Sequence, residues 1–130
     1  AALQGKLEME LAQMAPEQAG EFMAEFGIQE PGLNRVIRLS YTLLGLHSFF
    51  TVGEDEVRAW TIPVGAAAVE AAGVIHSDLA RGFIRAEVIG YDSLIAAGGL
   101  PAARSRGLLR LEGKEYLVQN GDILNIRFSV

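Results

Sequence analysis

The chain contains no cysteine, so a disulfide framework and a thiolate metal site are both excluded. A reducing compartment fits that absence. No apolar run approaches the ~18–20 residues that a membrane span needs. The N-terminus has no basic flank leading into an apolar stretch, so no signal peptide is visible. These absences together lead to the expectation of a cytoplasmic protein without membrane contact. The basic excess typical of a dedicated nucleic-acid binder is also missing: the net charge is -5 and the pI is about 5.0. Histidine is scarce, with His47 and His76 the only two, far apart and without a neighbouring ligand pair.

The remaining composition describes a chain that can fold. Half of its 130 residues are hydrophobic, enough for a core, and the length suits one domain or one domain with part of another. The charge deficit is local. Residues 1–30 hold six acids and one base, Lys6, whereas residues 31–130 hold ten acids and ten bases, nine of them arginine. The acidic character stops at Pro31-Gly32, which becomes the expected domain boundary. Any RNA contact would have to use a local arginine patch on a neutral body.

Periodicity predicts a helix over 3–14 (Leu3, Leu7, Leu11, Met14). A second begins at Pro16, with Ala19, Phe22, Met23 and Phe26 on one face and Gly27 as C-cap. A third runs through Leu33, Val36, Ile37, Tyr41 and Leu44 to Gly45. The pattern then changes. His47 to Val52 and Val57 to Ile62 predict a hairpin closed by Gly53-Glu54-Asp55-Glu56. Short helices are expected at 66–72, at 77–82 and from an N-cap at Asp92 to Ala97, stopped by Gly98-Gly99. Ile84 to Val88 alternates as a strand with one solvated face. Residues 100–110 read as a connector. Two further strands, 115–119 and 123–130, flank an Asn120-Gly121 turn, with Leu124, Ile126, Phe128 and Val130 on one face of the last. This order, helices first and strands returning late, predicts an α+β domain in which a small mixed sheet wraps a helix.

No catalytic motif emerges. The nearest approach to a P-loop, Gly107 to Glu115, is one residue too long, lacks the Ser/Thr for magnesium and places Glu115 where phosphate would sit. No serine lies in a nucleophile elbow, and Asp55/Glu56 read as a solvated loop. His76 has two readings. It can fix the entry to a helix capped by Ser77 or Asp78, or it can face a recognition surface beside Arg81 and Arg85. Arg104, Arg106, Arg110 and Lys114 complete the cations available for such a surface, each of which also reads as an ordinary solvated residue. Phe49, Phe50 and Trp60 are expected in the core; exposed beside arginine they would instead suggest base stacking.

The runs Ala71 to Leu79, Ala86 to Gly90 and Asn120 to Leu124 resemble the TGS domain, a β-grasp (ubiquitin-like) module. The match spans residues ~57–130. Glu30 to Arg38, Val57 to Thr61, Gly73 to Asp78, Arg81 to Val88 and Leu111 to Tyr116 are together similar to the carboxy-terminal part of the YchF-type Obg-like ATPases. Residues 1–30 resemble the helical tail of that family's P-loop nucleotide-binding domain, with Gly5-Lys6-Leu7-Glu8 near its last nucleotide-contact loop, and residues 31–130 a TGS domain with a leading helix. The family's P-loop, switch regions and base-recognition motif have no counterpart in these residues, so no catalytic residue is carried over. The resemblance implies a non-catalytic binding or regulatory module of a translation-associated ATP/GTP hydrolase. ATP or GTP with magnesium is implied for the parent and no cofactor for this chain. The implied partners are the ribosome or structured RNA, with His76, Arg81, Arg85, Arg104, Arg106, Arg110 and Lys114 as contact residues. The alternative is a module that docks on its own nucleotide-binding domain, or on another protein, and regulates hydrolysis.

Overall fold

A computed structural model describes residues 4–130. These residues fall into two compact units, the first ending at Leu44 and the second running Gly45–Val130. The first unit holds helices α1 (Gly5–Ala12), α2 (Pro16–Glu25) and α3 (Gly32–Leu44). The start of the first expected helix, Leu3, lies outside the described residues. Gly5-Lys6-Leu7-Glu8, read as close to a nucleotide-contact loop, forms the first turn of α1. Pro16 occupies the first turn of α2, where its missing N–H is not needed. Gly27 (φ +67) ends that helix, and the Ile28 N–H reaches back to the Met23 carbonyl. The Glu8 carboxylate accepts from the Gly32 N–H at 2.7 Å, where the helix dipole of α3 favours an anion.

The second unit is a mixed α/β body around one five-stranded sheet. The strands are β1 (Leu46–Val52), β2 (Val57–Pro63), β3 (Phe83–Gly90), β4 (Arg110–Glu112) and β5 (Asp122–Phe128). Their spatial order is β2-β1-β5-β3-β4, with β1 parallel to β5 and every other pair antiparallel. The expected hairpin is β1–β2, in register Phe49↔Trp60 and closed by the Gly53 N–H donating to the Glu56 carbonyl. Helices α4 (Ala68–Ile75) and α5 (Ser77–Arg81) follow β2, and α6 (Tyr91–Ala97) and α7 (Leu100–Ser105) follow β3.

Strand alternation sorts the core onto two faces of this sheet. Phe49, Ile62, Ala86, Val88 and Leu124 face α4. The helix meets them with Ala68, Ala71 and Ala72, whose small side chains allow a close approach to the sheet. Ile89 and Ile123 face the other way and are covered by Ala97 of α6 and Ala103 of α7, with Phe50 and Leu94 packed alongside.

Several sequence expectations need correction. Residues 115–119 do not form a strand. Their neighbourhood is spent on α4: the Tyr116 carbonyl accepts from Ala68 N–H, the Lys114 carbonyl from Val69 N–H, and the Val118 N–H donates to Ala66. A single bridge, Ala67↔Leu117, remains. Asn120-Gly121 is therefore not a hairpin turn. Asn120 Oδ1 accepts from the Ser48 N–H and the Gly121 N–H donates to the Ser48 carbonyl, which pins the start of β5 to β1. Only Gly121 takes positive φ (+83). The connector at 100–110 contains α7, started by Pro101, and the short β4. Asp92 lies in the first turn of α6 and is not its cap, which is Gly90. Phe128 and Val130 are exposed and not part of the core, and Val130 lies beyond the end of β5. The polar side of β3 is not solvated either: an irregularity between Phe83 and Arg85 turns Ile84 outward, and Glu87 is buried.

Candidate functional site

The expected contact residues separate into three places. The first is the α4–α5 junction. His76 is extended (φ −165, ψ 142) and serves as both the C-cap of α4 and the N-cap of α5. Its Nδ1 accepts from the Asp78 N–H at 3.0 Å, so the imidazole does the capping expected of Ser77 or Asp78. Asp78 instead accepts from Arg81 Nη2 at 2.8 Å. That pair lies in water and contributes little to stability.

The second place is the sheet edge beside β4. Arg110 Nη2 donates to the Tyr116 hydroxyl at 3.1 Å, and that hydroxyl donates to Asp122 Oδ2 at 2.7 Å. Asp122 is buried and also accepts from the Gln119 N–H. Burial and the adjoining Asp122 carboxylate push the Tyr116 hydroxyl up to about 12, against the smaller opposing pull of Arg110. Arg110 also approaches Glu112 at 3.6 Å. Arg106 and Lys114 are exposed.

The third place is the sheet face under α7. Glu87 on β3 is only 7 % exposed. Its Oε2 accepts from Arg104 Nη1 at 2.8 Å. Its Oε1 accepts from Arg127 Nη2 at 3.1 Å, Arg127 Nε at 3.2 Å and Asn125 Nδ2 at 3.3 Å. Burial pushes the Glu87 carboxyl up, but the hydrogen bonds and charges of Arg127 and Arg104 outweigh it and hold the group below its ordinary value. The partners themselves are about half exposed, so the carboxylate is covered by its own arginines. Arg85 lies directly across from Arg127 in the β3–β5 register. Its guanidinium reaches over Gly113, donates to the neighbouring Ile84 carbonyl and pairs with no carboxylate among the described residues.

Three arginines therefore lie on one face, two of them bound to its buried acid and the third, Arg85, across from Arg127. Arg85 was expected beside His76 and Arg81, and Arg104 in the connector with Arg106 and Arg110, not together on this face. Arg127, Asn125 and Glu87 were not anticipated, although the i, i+2 pairs Arg85/Glu87 and Asn125/Arg127 on neighbouring strands carry the signal. The aromatic expectations divide as well. Phe49 is buried, Phe50 packs on the α6–α7 side, and Trp60 is half-buried with the Arg58 guanidinium 4.3 Å from its ring centre. Among the described residues no group of three or more acids and histidines could hold a metal ion, and no helix is long and apolar enough to cross a membrane.

Residues 46–129 match the family model YchF-GTPase_C, described as a protein of unknown function (DUF933). The chain is 54% identical over 125 residues to the ribosome-binding ATPase YchF of Bacillus subtilis, covering 96% of this chain and 34% of that protein. To the protein of the same name from Escherichia coli O157:H7 it is 51% identical, over 95% of this chain and 34% of the relative. The chain thus spans about a third of the length of the curated relatives it matches. The solved structure of the Schizosaccharomyces pombe YchF GTPase superposes with a TM-score of 0.78 at 36% identity, covering 91% of this chain and 31% of that one. With more than half of its residues inside the family model, this chain belongs to the YchF GTPase carboxy-terminal family.

Proposed function

We propose that this chain is a non-catalytic TGS module of a translation-associated P-loop ATPase or GTPase, acting in the cytoplasm by contacting the ribosome or its RNA. The observation that carries the reading is the 54% identity, across nearly the whole chain, to a relative named as a ribosome-binding ATPase. The β-grasp assignment draws support from the sheet order β2-β1-β5-β3-β4 with α4 laid across one face. In this reading residues 1–30 are the tail of the nucleotide-binding domain and 31–130 the TGS domain with its leading helix. ATP or GTP with magnesium belongs to the parent, and no residue of this chain is assigned to it.

Ribosome co-sedimentation tests the proposal. The chain pellets with ribosomes at low salt and is released as salt rises, because each neutralised phosphate contributes about −0.7 to −0.9 to the log–log slope. No co-sedimentation at low salt refutes it. The exposed apolar residues of α3, among them Leu33, Ile37 and Leu44, favour a second role in docking within the parent and regulating its hydrolysis. An unchanged hydrolysis rate in a parent lacking residues 33–130 refutes that role.

A further inference from the structure

We infer that Arg85, Arg104 and Arg127 form a phosphate-binding clasp, braced by Glu87, that grips the backbone of an RNA strand laid across the α7 side of the sheet. The inference rests on the ribosome and RNA reading above and assigns it a surface.

The brace is the first argument. Glu87 engages Nη1 of Arg104 and the Nε and Nη2 of Arg127. Arg104 keeps its Nε and Nη2, and Arg127 its Nη1, for an outside acceptor. Both side chains are about half exposed, 56% and 52%, so those donors are within reach of a ligand. Their orientation is already set by the carboxylate, which reduces the ordering a ligand must impose.

The second argument is a charge that the fold does not compensate. Arg85 and Arg127 are direct cross-strand partners. Side chains so placed sit about 4.5–5.5 Å apart at Cβ, and like charges there destabilise a sheet. The one acid hydrogen-bonded on this face, Glu87, is shared between Arg104 and Arg127. Arg85 has no acid partner among the described residues. An anion drawn to this strand pair would offset the like charges of Arg85 and Arg127 and take up their free donors. The third argument is access. Gly113 faces Arg85, and a side chain there would begin 4.0 Å from its Nη1; its absence leaves a flat floor beside the strand pair.

The chemistry selects phosphate. Guanidinium forks match phosphate oxygens bidentately, and each cation here is an arginine. The clasp is local, so its contact is with a strand or loop.

Arg85→Glu gives the decisive test, because fold and binding should move in opposite directions. Replacing a like-charge pair with an opposite one raises the melting temperature of the 130-residue chain by roughly 2–4 °C. Binding of a labelled single-stranded RNA oligomer, followed by fluorescence anisotropy, weakens by roughly tenfold or more. Arg85→Gln, which removes one phosphate contact and breaks no ion pair, lowers the log–log salt slope by about 0.7. Poly-glutamate at equal charge concentration leaves the RNA bound. Arg85→Gln binding with wild-type affinity and slope overturns the clasp while leaving ribosome binding intact. Displacement of the RNA by poly-glutamate overturns it in favour of an acidic protein partner. A melting temperature that does not rise in Arg85→Glu overturns the uncompensated-charge argument. Wild-type protein that binds neither ribosomes nor RNA at low salt removes the function and the clasp together.

Discussion

Glu87→Gln separates charge from shape on the sheet face. The carboxylate accepts from two arginines and one asparagine, and all of these bonds change character when it becomes an amide. Breaking a fully buried ion pair costs about 3–5 kcal/mol, but that figure does not apply. Arg104 and Arg127 are 56% and 52% exposed and recover much of their solvation, so each pair is worth roughly 0.2–1 kcal/mol. The glutamine amide adds a second term. One of its ends is an NH2 group, which must face a donor from Arg104, Arg127 or Asn125 in a place that water reaches poorly. That mismatch costs about 1 kcal/mol. The expected loss is therefore ~2 kcal/mol at pH 7, or roughly 8–16 °C in melting temperature for a unit of this size.

The pH dependence gives an independent check. The Glu87 carboxyl is held below its ordinary value, because Arg127 and Arg104 outweigh the opposing effect of burial. A carboxyl that ionises more readily in the folded state stabilises the fold above its unfolded pKa, about 4.3. The contribution is lost as pH falls through the folded value. Urea melts followed by circular dichroism should show a gap between wild type and Glu87→Gln that is constant from pH 7 to about 5. The gap should shrink on further acidification. A loss at pH 7 below about 0.5 kcal/mol refutes the network as a stabilising element. A gap that stays constant into the acid range refutes the assignment of the loss to charge.

Gly82→Ala would place a Cβ 2.3 Å from the Ser129 carbonyl oxygen and disturb the Ser129 N–H to Gly82 carbonyl bond, so chemical denaturation should show a loss of about 1–3 kcal/mol; a wild-type value refutes the close approach. His76→Ala removes the acceptor of the Asp78 N–H and costs about 1 kcal/mol, of which His76→Asn recovers more than half because asparagine is itself a good cap; equal losses in the two variants refute the capping role. Tyr116→Phe removes the hydroxyl between Arg110 and Asp122 and costs about 1–2 kcal/mol. Because the Tyr116 hydroxyl is raised to about 12, its contribution is complete below the unfolded value of about 10 and is lost as pH climbs towards 12; ultraviolet titration and alkaline melts should show this in the wild type and not in the variant.

What could be read from the sequence was what neighbouring residues decide. Pro16 and Gly27 bracket α2 because proline suits a first turn and glycine the left-handed position after a last one. The β1–β2 hairpin was legible from two β-branched and aromatic runs about one loop. Residues 115–119 misled because Tyr116 and Val118 alternate as a strand would. Where their backbone partners lie is decided by α4, almost fifty residues earlier in the chain, whose N-terminal donors claim the Lys114 and Tyr116 carbonyls. β4 spans three residues, too few to show a period.

The same distinction explains the site. Alternation along β3 assigns Glu87 to a solvated face, and that is correct for the strand taken alone. Arg104 of α7 and Arg127 of β5 close over the carboxylate on that side, and only the fold brings them there. Charge pairing then decides which cations remain available. Arg58, Arg81 and Arg110 each have an acid within 4.0 Å on their own element or the preceding loop, so local sequence already neutralises them. Arg127 and Arg85 face each other from strands that are forty residues apart, and the acid on this face, Glu87, pairs with Arg127 and Arg104 and leaves Arg85 without one among the described residues. A neutral body can therefore present a positive face without a basic composition, because neutrality in the sequence is an average and the sheet register decides where it fails. Contacts made through so few cations should respond to single substitutions and modest salt, whereas a basic tail spreads the same response over many residues.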